Sequence, residues 1–217
     1  MAKARPALVT AALSAAAVLG YLSYRFVLPP APQPETPDIS AAALIGSDAD
    51  ESADAADAPE LAATLPDFTL DSLAGSPQSI KSWPGKPLLI NFWATWCGPC
   101  LREIPMLKEF QTGHSNLQVV GIAVDKRDPV VGFADRMQFN YPILIGESEG
   151  WDAAAAFGVS VYALPFTVFT AADGSVLGVH TGELHAEHLE NLSAILADLG
   201  QRKIDLDEAR ARLAGRQ

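Results

Sequence analysis

The feature that most restricts this chain is a junction. A short apolar run, Leu88-Leu89-Ile90-Asn91-Phe92, leads through Trp93-Ala94-Thr95-Trp96 into Cys97-Gly98-Pro99-Cys100, and Leu101, Ile104 and Leu107 follow at helical spacing. The first part suits a buried strand and the last an amphipathic helix. Both cysteines therefore lie where a strand hands over to a helix N-terminus. Unpaired N–H groups and the positive end of the helix dipole stabilise a thiolate there. A thiol of pKa about 8.5 is about 3% ionised at pH 7, whereas one near 7 is about half ionised. The reactive form gains about fifteenfold, less some loss of intrinsic nucleophilicity. Cys97, at the exposed start of the turn, is the expected attacking thiol, and Cys100, one turn inside, the expected resolving thiol. Pro99 offers no competing donor and fits the first helical turn. An isolated pair at this spacing also suits an inert disulfide or half of a metal site. The strand–turn–helix context favours redox chemistry over both.

No other cysteine occurs in the 217 residues. That excludes a disulfide-stapled scaffold and a four-cysteine zinc or iron–sulfur site. A net charge of -11 gives no bulk electrostatic case for nucleic acid. The charge is unevenly placed: residues 1–28 carry +3, residues 29–64 carry -8 and residues 65–217 carry -6.

Residues 1–28 read as an N-terminal membrane anchor, with a cleaved signal sequence as the competing reading. Residues 7–24 form 18 uncharged positions behind Lys3 and Arg5. As a helix they span roughly 27 Å, close to the hydrocarbon thickness, and the preceding bases keep the N-terminus in the cytoplasm. The apolar stretch runs into Tyr24-Arg25-Phe26-Val27-Leu28, not the small residues a signal peptidase requires. Residues 29–64, rich in Pro, Ala and acid, read as a linker of about 33 Å r.m.s. span.

Residues 65–200 can build one core. Gln118 to Val124 and Tyr141 to Ile145 read as further strands, and Pro129 to Gln138 and Trp151 to Phe157 as helices. Phe166 to Phe169 and Val176 to His180 form a hairpin around Ala172-Asp173-Gly174. A helix over Ala186 to Leu199 turns Leu189, Leu192, Leu196 and Leu199 inward, and residues 201–217 form a tail with a short helix. This order predicts an α/β fold with a central mixed sheet flanked by helices.

Phe92-Trp93-Ala94-Thr95-Trp96-Cys97-Gly98-Pro99-Cys100 resembles the active-site segment of thioredoxins, and Pro105 matches the kinking proline of their first helix. Ala163-Leu164-Pro165 resembles their cis-proline loop. Asn91 stands where cytosolic thioredoxins have a buried aspartate, Glu103 follows Cys100 by three, and Asp128 to Ile145 supplies an extra helix and strand. These features resemble the TlpA/ResA group of membrane-anchored bacterial thiol–disulfide reductases over about residues 65–199. The resemblance implies a thioredoxin-like fold behind an N-terminal transmembrane helix. It also implies a periplasmic domain that takes electrons from a membrane thiol donor of the DsbD/CcdA type and reduces client protein disulfides. Apocytochrome c or a copper chaperone would be such clients. Two cysteines cannot relay electrons across a membrane by themselves, which independently requires an external donor or oxidant. The resemblance places Trp96, Leu164 and Pro165 at the substrate-facing rim, and implies no bound cofactor and a monomer. Gly98-Pro99 supplies no ionisable group between the cysteines, which favours a reductant over an oxidase or isomerase.

Glu103 reads either as a proton acceptor that tunes the cysteines or as a solvated helix charge. Trp93 reads as core or as a site residue. His180, His185 and His188 read as solvated surface rather than a metal site. A peroxidase lacks support because the Pro-x-x-x-Thr-x-x-Cys context is missing. A non-catalytic metal-handling module using Cys97 and Cys100 remains the rival from another class.

Overall fold

The structure is a computed structural model that describes residues 61–160 and 163–215. The expected anchor and nearly all of the expected linker lie outside these residues. No helix among the described residues is long and apolar enough to cross a membrane.

Seven strands form one sheet: β1 (Thr69–Ser72), β2 (Pro77–Ser79), β3 (Leu88–Trp93), β4 (Gln118–Ala123), β5 (Ile143–Ile145), β6 (Phe166–Thr170) and β7 (Val176–Thr181). Their spatial order is β2-β1-β5-β4-β3-β6-β7. The β3–β4 and β4–β5 pairs are parallel, and the other pairs are antiparallel. The helices are α1 (Gly98–Gly113), α2 (Arg127–Met137), α3 (Ser148–Ala156), α4 (Ala186–Gly200) and α5 (Leu206–Ala214). The mixed sheet predicted from the element order is present. The β1–β2 hairpin was not anticipated, because Thr-Leu-Asp-Ser and Pro-Gln-Ser lack the apolar alternation that marks a strand.

All six residues of β3 are buried, as expected for a central strand covered on both faces. Side chains alternate across it. Leu89 and Trp93 join a core with α1, α2, α4 and α5, whereas Leu88, Ile90 and Phe92 join the opposite core with α3. Asn91 lies on the same face as Leu89 and Trp93, so β3 carries an amide into the interface with α1. Phe92 stacks on Phe166 with ring centroids 4.3 Å apart, fixing β3 against β6 below the site. At Gly121 an added Cβ would come within 2.7 Å of Ile143 Cδ1 and 3.0 Å of Trp93 Nε1. The glycine on β4 thus lets the Trp93 indole lie across that strand.

Helix α1 buries Cys100, Glu103, Ile104, Leu107 and Phe110. Leu101, expected on this face, is only half-buried, because the apolar stripe is centred one position further on. In the tail, Leu213 of α5 is 6% accessible and packs where a Cβ on Gly178 would come within 2.8 Å.

Candidate active site

Cys97 caps α1 and Cys100 lies in its first turn. The two form a disulfide with Cα atoms 5.3 Å apart, so the described state is oxidised. The Cys100 N–H donates to Cys97 Sγ at 3.3 Å, which is the helix-terminus donor expected from the sequence. Cys97 is 5% accessible and Cys100 0%. Cys97 is therefore the more open of the pair, but it is not exposed as the sequence suggested.

Two sides of the turn are braced. On one, Asp125 just beyond β4 accepts from the Thr95 N–H at 2.9 Å and from the Thr95 hydroxyl. On the other, the Leu164–Pro165 peptide is cis. Pro165 is buried, Leu164 half-buried and Ala163 exposed. The Pro165 carbonyl accepts from the Gly182 N–H at 2.9 Å. Gly182 takes φ of 102°, a conformation that favours glycine. Trp96 is 67% accessible and is the one large exposed hydrophobic side chain among the described residues. Trp93 is 1% accessible and packs 5.5 Å from each of Phe133 and Phe139. The core reading holds for Trp93, while Trp96 forms a rim.

Glu103 is 1% accessible, which removes the solvated-charge reading. Its Oε1 accepts from Asn91 Nδ2 at 2.7 Å, and its Oε2 accepts from the Leu184 N–H at 2.7 Å. Asn91 Nδ2 also donates to Thr167 Oγ1 at 3.1 Å. Burial raises the Glu103 carboxyl from the usual carboxylate range to about 7, against the pull of the Leu184 N–H and the Asn91 amide. A buried acid poised there can take or give a proton at neutral pH. Tyr141, 6% accessible, is raised by its own burial and then by the charge of Glu103.

The corner between β7 and α4 joins these parts. Gly182 bonds Pro165, Leu184 bonds Glu103, and Glu183 accepts twice from Arg102 Nε at 3.1 Å. His180 corrects the solvated reading of the histidines. It is 8% accessible, and its ring lies 4.2 Å from that of His188. Burial, then His188, lowers its proton affinity. His185 remains exposed. No group of three or more metal-ligating side chains suited to an ion occurs among the described residues.

Sequence reasoning missed Asp125, Thr167, Tyr141 and the Gly182–Leu184 corner. Two of the contacts are backbone N–H groups, which carry no residue signature. Asn91 was visible as a polar break in an apolar strand.

A family model described as Redoxin matches residues 60–196. The chain is 32% identical over 147 residues to the thioredoxin-like protein YneN of Bacillus subtilis, covering 65% of this chain and 77% of that protein. It is 34% identical over 136 residues to the thiol-disulfide oxidoreductase ResA of Geobacillus thermodenitrificans, covering 59% and 76%. A solved Chlorobium tepidum structure described as a DsbE thiol:disulfide interchange protein superposes with a TM-score of 0.57 at 26% identity, covering 65% of this chain and 99% of that one. With the buried Cys97–Cys100 pair, the cis-proline loop and the acid beneath them, these likenesses agree: the chain belongs to the Redoxin family and is a TlpA/ResA-like thiol–disulfide oxidoreductase of the thioredoxin superfamily.

Proposed function

We propose that this oxidoreductase works as a reductant of protein disulfides. The observation that carries the direction is the character of the groups around the pair. Strong oxidants are strong because their reduced, thiolate form is stabilised. Here Gly98-Pro99 brings no ionisable group, the Cys100 N–H is the donor on Cys97 Sγ, and the titratable group beneath the turn is an acid. The N–H favours a thiolate, as a helix N-terminus does, but neither residue between the cysteines adds a positive side chain to it.

In the reducing direction, the Cys97 thiolate attacks a client disulfide and forms a mixed disulfide, and one client sulfur leaves as a thiolate that takes up a proton. Cys100 then loses its proton, attacks Cys97 Sγ and releases the second client thiol. In this reading Glu103, three residues after Cys100 on α1, accepts the Cys100 proton as carboxylate; its burial and its carboxyl raised to about 7 support that role. Trp96, Leu164 and Pro165 form the docking rim. Electrons return from a membrane thiol donor of the DsbD/CcdA type, with the domain held in the periplasm through residues 7–24. Apocytochrome c or a copper chaperone is the client class that the resemblance supports.

Equilibration of the pair against glutathione or dithiothreitol tests the direction. The expected potential is nearer about -270 mV than about -120 mV. A value at the upper end would assign an oxidase or isomerase. Capture of a mixed disulfide by Cys100→Ser in cells, with none by Cys97→Ser, tests the order of attack and isolates the client. A fusion reporter placed after residue 64 tests the compartment.

A further inference from the structure

The two oxygens of Glu103 face partners of different kinds. Oε2 meets the Leu184 N–H at 2.7 Å. A backbone N–H only donates, so Oε2 remains an acceptor whether the acid is charged or neutral. Oε1 meets Asn91 Nδ2, also at 2.7 Å. A proton on Oε1 would face that N–H donor to donor. A carboxamide can remove the conflict, because its oxygen and nitrogen ends have nearly the same shape and exchange by a half-turn.

Three observations bear on that half-turn. Asn91 is 1% accessible, and its Oδ1 is a buried acceptor with no hydrogen-bond partner among the described residues. The present orientation thus satisfies the nitrogen end and leaves the oxygen end idle. The second contact of Asn91 is with Thr167 Oγ1 at 3.1 Å, and a hydroxyl can donate as readily as accept. After reversal Oδ1 accepts from both Glu103, once it carries a proton, and the Thr167 hydroxyl, while the Nδ2 N–H groups turn to the place Oδ1 now holds, a desolvation cost that the relief of the donor–donor clash must outweigh. Finally, β3 and β6 bring no charge to this point, since Asn91 and Thr167 are neutral. The titratable or charged groups that act on Glu103 or feel its charge are Tyr141 ahead of β5 and Glu183 at the β7–α4 corner, itself paired with Arg102; Cys100, three residues earlier on the same helix, is held in the disulfide.

We propose that Asn91 is a positioning residue whose amide reverses with the protonation of Glu103, so that the proton is carried on Oε1. In the charged state Nδ2 donates to Oε1. On proton uptake an O–H bond forms at Oε1, Oδ1 of Asn91 becomes its acceptor, and the Leu184 contact at Oε2 is unchanged. The carboxyl can then change charge without moving. An aspartate at position 91 would have no N–H end to donate to the charged acid and would set a second negative charge against it.

The inference rests on the reading of Glu103 as the proton acceptor, and one experiment separates the two. Solution NMR of the oxidised, full-length chain follows the Glu103 carboxyl carbon and the Asn91 side-chain amide across the pH range. The expected result is a shared midpoint, with contacts from the Asn91 amide protons to Thr167 above it and their loss below it. Glu103→Gln, which copies the neutral acid, is expected to hold Asn91 in the reversed orientation at every pH. If Glu103 titrates near neutrality while the Asn91 contacts persist, the reversal is overturned and the reading of Glu103 stands. If Glu103 stays charged well into the acid range, both are overturned.

Discussion

Glu103 and Asp125 are both nearly sealed from solvent, at 1% and 8% accessible, and they flank the same redox turn. They are held in opposite ways. Asp125 accepts from the Thr95 N–H, the Thr95 hydroxyl and the Lys126 N–H. It ties the segment before Cys97 to the end of β4. Glu103 has one backbone donor and an amide that can act as donor or acceptor. One carboxylate is therefore a brace, and the other is left free to change its charge. Burial alone does not distinguish them. The number and reversibility of the donors do.

The largest expected effect breaks the comparison through pH. The folded carboxyl of Glu103 is raised from 4.5 to about 7. Between those values the native state keeps a proton that the unfolded chain has released, so stability falls as pH rises through this window and then levels off. The full window amounts to about 3 kcal/mol at most. Glu103→Gln is expected to remove that fall. The measurement is urea unfolding of the oxidised protein at about pH 5 and about pH 8, read as the wild-type slope minus the variant slope. His180, with lowered proton affinity, acts in the opposite direction, and it cancels in the difference. Parallel slopes would show that Glu103 does not titrate in the fold.

Asp125 is expected to behave otherwise. Asp125→Ala leaves the Thr95 N–H and hydroxyl without their acceptor, at a cost of about 2 kcal/mol. The Glu103-dependent fall with pH should remain in this variant. Thr95→Val, which removes only the hydroxyl, should cost about 1 kcal/mol. Urea midpoints at one pH give both values. A Thr95→Val loss equal to that of Asp125→Ala would place the brace in the side chain alone.

The two carboxylates were unequally legible in the sequence. Glu103 announced itself because the spacing of Cys100 and Glu103 is helical, and because Asn91 interrupts an apolar strand. The central strands, the helix after Cys97 and the β6–β7 hairpin were legible for similar reasons, since each carries a local period or turn. Asp125 gave no such signal. Its partner Thr95 lies 30 residues away, and only the parallel β3–β4 pairing brings the two strand ends together. The β7–α4 corner was hidden more deeply, because Gly182 and Leu184 act through N–H groups that any residue but proline provides. His180 was misread because a histidine at the end of a hairpin strand looks exposed until α4 closes over it and sets His188 beside its ring.

The smallest expected effect sharpens the comparison at that corner. Arg102 and Glu183 cross from α1 to the corner one residue before Glu103 and Leu184 cross between the same elements. Arg102 is largely exposed, at 62% of its side chain, and Glu183 less so, at 21%, so the pair contributes little to stability. Its effect on Glu103 is electrostatic. The charge of Glu183 raises the Glu103 carboxyl, and Arg102 sets a positive charge against it. Arg102→Gln leaves the Glu183 charge unopposed and loosens the corner that presents the Leu184 N–H. Both changes favour the neutral acid. The Glu103 midpoint should therefore move up, by less than about half a pH unit at low salt, and the difference should shrink at about 1 M salt, where the screening length is about 3 Å. Asp125, on the other side of the turn, should not respond, so the stability lost in Asp125→Ala should be the same with Arg102 or Gln at position 102. An unmoved Glu103 midpoint would mean that the Gly182 bond to Pro165 sets the corner without help from the ion pair.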